Sequence, residues 1–197
     1  MSSLRSEELS DIDIEAYNVA GSKYTFEDEK VRKWVQQRLD GKILNACCGP
    51  THLKHTGEIV RVDMNDEIDA DYNVRIRELP QLVEHNQFDT IVYDPPWSDF
   101  QGYEKYEGRN VGSDRIMAEC LQKLLKPDGK IISFGFMSTM MPRDLGFDCS
   151  EIAIFRTIGR RKDFFGVVDE QVDYSLNKFG DDDPIESNGG DYARGSQ

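Results

Sequence analysis

Asp94-Pro95-Pro96-Trp97 follows directly on the apolar run Phe88-Asp89-Thr90-Ile91-Val92-Tyr93, and those residue types in that order can hold a planar amine. A buried strand ending in Asp-Pro-Pro delivers one carboxylate acceptor at the sheet edge. The prolines fix φ and leave the Asp94 and Pro95 carbonyls without local amide donors. An exocyclic NH2 group has two hydrogens, so the Asp94 side chain and a backbone carbonyl can hold both and aim the nitrogen lone pair at an electrophile. Trp97 adds a flat face, and stacking a base on an aromatic ring is worth about 1–3 kcal/mol. Asp and Pro are also ordinary turn residues, so the tetrapeptide alone reads equally well as a strand-ending turn.

A second motif, about forty-five residues upstream, decides between these readings. Ile43-Leu44-Asn45-Ala46-Cys47-Cys48-Gly49-Pro50-Thr51 reads as a short buried strand running into small residues whose backbone can approach a ligand. A further strand, Glu58 to Val62, ends in Asp63. In βαβ units that bind nucleosides, an acidic residue at the end of the second strand accepts hydrogen bonds from ribose hydroxyls. Asp63 lies fourteen residues beyond Gly49, shorter than the common twenty or so. The loop has a single glycine, so Ala46, Cys47 and Cys48 must supply the close approach.

Together these motifs resemble the class I S-adenosylmethionine-dependent methyltransferases, specifically the adenine-N6 DNA methyltransferases that carry Asp-Pro-Pro followed by an aromatic residue. The resemblance covers roughly residues 22 to 170. It implies S-adenosyl-L-methionine as cofactor, with Ala46, Cys47, Cys48 and Gly49 under its methionine part and Asp63, followed by Met64, at its ribose. Asp94 borders cofactor and substrate, and Asp94, Pro95, Pro96 and Trp97 form the catalytic base clamp. Tyr24-Thr25-Phe26 looks like the amino-terminal cofactor segment of that family. The chain departs from the pattern at Asn45, where the family often has an acidic residue, and at Pro50 and Thr51, which replace later small positions. Arg75 stands where an Asp often lies near the adenine ring. The cofactor loop precedes the clamp, unlike the order in messenger-RNA adenine methyltransferases.

These residues need a scaffold, and 197 residues suffice for one domain with a real core. Strands are predicted at 42–46, 58–62, 71–74, 88–93, 130–136, 151–158 and 164–169, and helices at 27–39, 77–86 and 112–126. The alternation gives an α/β doubly wound sheet, and the resemblance implies that it is Rossmann-like, mostly parallel and seven-stranded, with one antiparallel strand. Residues 1–20 read as a flexible amino-terminal segment, 21–176 as the single domain and 177–197 as a disordered acidic tail. Gly159-Arg160-Arg161-Lys162-Asp163 reads as a hairpin turn between the last two strands. It places Arg160, Arg161 and Lys162 on the rim beside Asp94, where they can meet phosphates or form a plain solvated tip. Tyr103, in the 98–109 loop, is the remaining candidate for substrate contact or for a lid.

The net charge of −13 and pI near 4.7 oppose a generally basic nucleic-acid binder. There are 22 Asp against 15 Glu and 13 Arg against 11 Lys, a balance that suits solvation in concentrated salt and a halophilic source. At molar salt the Debye length is about 3 Å, so a local basic rim can still touch phosphate. Four cysteines with no Cys-x-x-Cys pair fit a reducing, cytoplasmic interior. Cys47, Cys48, His52 and His55 are a poor metal set because two of them occupy the loop the cofactor must approach, so no metal is expected. No apolar stretch reaches the roughly 20 residues that span a bilayer.

The mechanism these residues imply is direct displacement. The amine, held by Asp94 and the Pro95 carbonyl and stacked on Trp97, attacks the sulfonium methyl in line, with Asp94 as positioning acceptor. DNA or RNA is the expected substrate; with little room for a recognition region, three routes to specificity stay open, namely a very short recognition sequence, a partner, or action on RNA or single strands, where extrusion costs less. Methylation of another planar amine or amide, such as cytosine N4 or a protein glutamine, stays open, as does a non-catalytic cofactor-fold module acting through a partner.

Overall fold

The computed structural model describes residues 12–96, 114–159 and 162–172. Seven strands, β1 (Asp13–Val19), β2 (Ile43–Ala46), β3 (Ile59–Val62), β4 (Phe88–Tyr93), β5 (Leu125–Gly135), β6 (Phe147–Thr157) and β7 (Phe164–Gln171), form one sheet in the order β1-β6-β7-β5-β4-β2-β3. Strand β7 runs antiparallel to both its neighbours, and all other neighbouring pairs are parallel. Helices α1 (Glu29–Gln36) and α2 (Asp114–Leu124) cover opposite faces. The doubly wound mixed α/β sheet expected from the sequence is therefore present.

Its strand composition differs from the expectation at both edges. Residues 71–74 do not form a strand; Tyr72 makes a single bridge to Val62. The Arg61 carbonyl accepts both the Asp71 and Tyr72 N–H groups, at 2.9 and 3.2 Å. The Asp71 carboxylate meanwhile takes the Arg61 N–H at 2.7 Å, so a side chain occupies a rung the ladder would need. At the other edge, the flexible segment expected over 1–20 does not extend to Asp13–Val19, which is β1, parallel to β6. Its alternation is carried by Glu15 and Tyr17 rather than by aliphatic residues. The Glu15 carboxylate accepts from Trp34 Nε1 at 3.2 Å and pairs with Arg38 at 3.0 Å. Tyr17 stacks on Phe155 with centroids 5.6 Å apart.

The predicted helix over 77–86 is a 3-10 turn, Ile76–Gln81, with Pro80 inside it. Proline lacks the N–H an α-helix would use and disfavours α geometry in the residue before it. Helix α1 is shorter than the predicted 27–39 because Asp28 caps it, its carboxylate accepting from Lys30 N at 2.9 Å and Val31 N at 3.4 Å. The α1 face buries Val31, Trp34 and Val35 against Phe134 and Phe155, each large apolar side chain contributing about 1.5–3 kcal/mol. Gly166 of β7 is needed there, since a β-carbon on it would lie 2.8 Å from Trp34 Cζ3. The α2 face packs Met117, Ala118, Leu121 and Leu124 onto Leu44, Ile91 and Ile131. No helix of the described residues is long and apolar enough to cross a membrane.

Candidate active site

The sheet register brings three chemistry-bearing residues out at one edge. Ala46, the last residue of β2, is level with Val62 of β3 on one side and Tyr93 of β4 on the other. Cys47, Asp63 and Asp94 follow those three residues and so emerge side by side. The chain leaves β2 for β3 on one flank and later returns as β4 on the other. The loops after β2 and β4 therefore part, which opens a crevice at the carboxyl edge, the usual ligand position in such sheets.

The loop after β2 is shaped by its backbone. Cys47 and Gly49 both adopt left-handed φ, 58° and 55°, unfavourable for cysteine because of its β-carbon. The Cys48 N–H bonds to the Val62 carbonyl at 3.0 Å and the Gly49 N–H to Asp63 Oδ2 at 3.0 Å. Asp63, 2% exposed, also accepts the Asn65 N–H on Oδ1 at 3.0 Å. A carboxylate has about four acceptor positions, so Asp63 ties the two strand ends together and keeps capacity for a ligand.

Burial pushes the Cys47 thiol well above its usual range, and the nearby Asp63 and then Asp94 carboxylates add to this. Burial likewise raises Cys48 to about 11, against a lowering influence from Arg61. Both are neutral thiols near pH 7, which suits them to lining a pocket rather than to attack or metal binding. Among the described residues no three His, Cys, Asp or Glu side chains are grouped to hold a metal ion. His52 instead meets Arg61 Nη1 at 2.9 Å, and His55 meets the Gly41 carbonyl at 3.0 Å.

A pocket beside this edge is lined by Cys47, Asp63, Met64, Val74, Arg75, Ile76 and Met117. One carboxylate and one guanidinium face apolar walls, a surface matched to a nucleoside. Cys47, Asp63 and Met64 are thus brought together in one lining. Ala46 is fully buried and its carbonyl accepts the Asp94 N–H at 3.3 Å, which links the loop after β2 to the Asp94-Pro95-Pro96 segment after β4. Tyr24 reaches the loop as well: a β-carbon on Gly49 would lie 3.8 Å from Tyr24 Cδ1. Thr25 opens the 3-10 turn Thr25–Glu27, anchored by buried Phe26 packing edge-on against Phe134 at 5.2 Å.

Asp94, Pro95 and Pro96 are partly buried at the end of β4. Trp97, Tyr103, Arg160 and Arg161 lie outside the described residues. Strand β6 runs in the same sense as β5 and β4, so Lys162, just past its end, is on the rim that carries Asp94. Its Nζ sits 5.3 Å from the Phe136 ring centroid.

One positioning residue, Arg61, went unread in the sequence, and Asn45, read there only as a departure from the family pattern, has an unexpected setting. Arg61 lies within the apolar run Ile59-Val60-Arg61-Val62, with only 9% of its side chain exposed. It donates to the Gly49 carbonyl at 2.7 Å and to the Asp69 carbonyl, holding the loop after β2 against the segment after β3. A charge inside a four-residue apolar strand was the available signal. Asn45, level with Arg61 in the register, is fully buried, and neither of its side-chain amide atoms has a partner. The pocket walls Val74, Ile76 and Met117 carry no sequence signal beyond ordinary apolar patterning.

No protein-family model and no curated protein sequence matches the chain. Solved structures do. TrmN from Thermus thermophilus superposes with a TM-score of 0.55 at 14% identity, over 74% of this chain and 49% of that one. The 1,6-didemethyltoxoflavin-N1-methyltransferase of Burkholderia thailandensis, solved with bound 1,6-didemethyltoxoflavin and S-adenosylhomocysteine, gives 0.50 at 12% identity over 71% of this chain and 74% of that one. A SAM-dependent methyltransferase from Methanosarcina mazei gives 0.50 at 10% identity over 71% and 97%. The chain spans about half the length of the first of these and most of the other two. At such identities the shared property is the fold, and the fold of this chain is that of the class I methyltransferases.

Proposed function

We propose that the chain transfers the methyl group of S-adenosyl-L-methionine to the exocyclic N6 amine of adenine in DNA or RNA by in-line displacement. The observation that carries this reading is the side-by-side emergence of Cys47, Asp63 and Asp94 from three paired strands. It sets two carboxylates on either side of one small-residue loop, and this reading gives Asp63 the nucleoside and Asp94 the amine.

The residues present fit that cofactor. Asp63 has acceptor capacity for ribose hydroxyls, and the apolar walls Met64, Val74, Ile76 and Met117 suit a planar base. The buried, unpartnered amide of Asn45 offers a donor and an acceptor for the amino-acid end, where a buried polar group left alone costs about 1–3 kcal/mol. When bound, S-adenosyl-L-methionine supplies an electrophilic sulfonium methyl. Asp94 and the Pro95 carbonyl accept the two hydrogens of the target amine, localising electron density on nitrogen as it becomes tetrahedral. Trp97, next in sequence, stacks on the base and helps exclude water.

Lys162, with the neighbouring Arg160 and Arg161, meets substrate phosphates in this reading, and a partner protein supplies sequence choice in a cytoplasmic setting. The charge of −13 favours a second reading in which the acceptor is a planar amide or amine on a protein; cytosine N4 fits the same clamp. The test is Asp94→Ala. Turnover on an adenine-containing oligonucleotide falls at least a hundredfold while S-adenosylhomocysteine affinity stays within about threefold, the split expected for a group that acts mainly in the transition state. Near-normal turnover of that variant refutes the assignment.

A further inference from the structure

The pocket that takes the nucleoside has one cationic side chain in its lining, Arg75. With the ribose at the Asp63 carboxylate and the sulfur substituent toward Cys47 and Asp94, the base is left to the other residues of the lining, Met64, Val74, Arg75, Ile76 and Met117. Among the described residues its guanidinium has no ion pair and no hydrogen bond, although the chain is rich in carboxylates.

A guanidinium has five donors and no acceptor. It cannot accept from the adenine N6 amine, the group that distinguishes adenine from other purines, and can satisfy only ring nitrogens. A 6-oxopurine presents O6 and N7 as adjacent acceptors, the pair that arginine binds bidentately in guanine. A carboxylate at this place would favour the opposite choice.

We propose that Arg75 reads the purine edge of the cofactor by donation, so that this pocket binds a 6-oxopurine nucleoside at least as tightly as adenosine. The proposal rests on the cofactor assignment above. It makes Arg75 a specificity-determining residue and relaxes a discrimination that an acidic residue would impose.

The test is calorimetric binding of two product analogues, S-adenosyl-L-homocysteine and S-inosyl-L-homocysteine, to the wild-type chain and to Arg75→Ala and Arg75→Asp, with thermal melts confirming that each variant is folded. The wild-type chain binds the inosyl compound at least as tightly as the adenosyl one. Arg75→Ala weakens the inosyl compound selectively, and Arg75→Asp shifts the ratio toward the adenosyl compound by about tenfold or more, the size expected when one bidentate base contact is exchanged for a repulsive one. A wild-type preference for the adenosyl compound of tenfold or more, unchanged in Arg75→Ala, overturns the proposal and leaves the cofactor assignment standing. Binding of neither compound overturns both.

Discussion

Replacing Asp169 with Asn stabilises the fold increasingly as the pH rises. Asp169 lies in β7, 2% exposed, level with Ile131 of β5 and Cys149 of β6. Burial raises its carboxyl to about 7, with a lowering contribution from the Met141 backbone N–H and a raising one from the Asp148 carboxylate. An unfolded Asp ionises near pH 4. Below that pH both states hold the proton and its stabilisation is fully present. Between about 4 and 7 the unfolded chain gives up a proton that the folded chain keeps, so stability falls as the pH rises. About three pH units at about 1.4 kcal/mol each amount to about 4 kcal/mol, and above 7 the loss levels off. Asparagine does not titrate. Its amide can still accept from Met141, and its NH2 group sits on the sheet face that carries the unpartnered Ser133 Oγ and Gln171 Oε1. Urea unfolding of both chains in 1 M KCl at pH 5, 6, 7 and 8 measures this. The stability difference, variant minus wild type, grows by about 2–3 kcal/mol between pH 5 and 7 and flattens above it. A difference that stays constant across the series refutes the reasoning, because Asp169 would then not change protonation in that window.

Three further substitutions probe other parts of the account. Gly166→Ala places a β-carbon 2.8 Å from Trp34 Cζ3 and 3.1 Å from Phe134 Cε1; overpacking of this kind costs about 1–3 kcal/mol, and an unchanged urea midpoint would show that the aromatic cluster yields freely. Asp63→Asn keeps one acceptor and loses the charge, so S-adenosylhomocysteine affinity measured by calorimetry drops about ten- to a hundredfold, in line with about 1.5–3 kcal/mol for hydrogen bonds to charged groups. Equal affinity would remove Asp63 from the ribose site. Lys162→Ala weakens oligonucleotide binding across sequences and lowers the salt slope by about one phosphate contact, whereas an unaltered slope takes the hairpin rim out of the substrate path.

The parts of the fold that could be read from sequence were those where burial and local chemistry agree. Ile43–Ala46 and Phe88–Tyr93 are short apolar runs flanked by turn residues, and both form central strands. The antiparallel β7 was expected from the hairpin turn at 159–163 taken together with the family resemblance. What was hidden depended on partners far away in the chain. Strand β1 is legible only once Trp34 and Arg38 are known to wait for Glu15, and the 71–74 segment fails as a strand because one side chain, Asp71, takes a backbone N–H from the ladder. Pro80 carried a local warning against a helix at 77–86, but apolar spacing outweighed it. In the site, Asp63 and Asp94 were readable because carboxylates after apolar strands are conspicuous. The convergence of Cys47, Asp63 and Asp94 needed the register, which sequence patterning does not supply, and Arg61 looked like a strand irregularity until its bond to the Gly49 carbonyl showed what it holds.

The central claim is methyl transfer to an amine held at Asp94. It is tested most directly by incubating the chain with S-adenosyl-L-methionine labelled in the methyl group and, in parallel, DNA, RNA and protein in molar KCl, then digesting each pool and identifying the labelled nucleoside or residue. The account predicts label in N6-methyladenine from a polynucleotide, and loss of that label in Asp94→Ala. Label in a protein residue or in another base would contradict the assigned substrate, and the absence of any transfer by a chain that binds S-adenosylhomocysteine would contradict the assignment of catalysis itself.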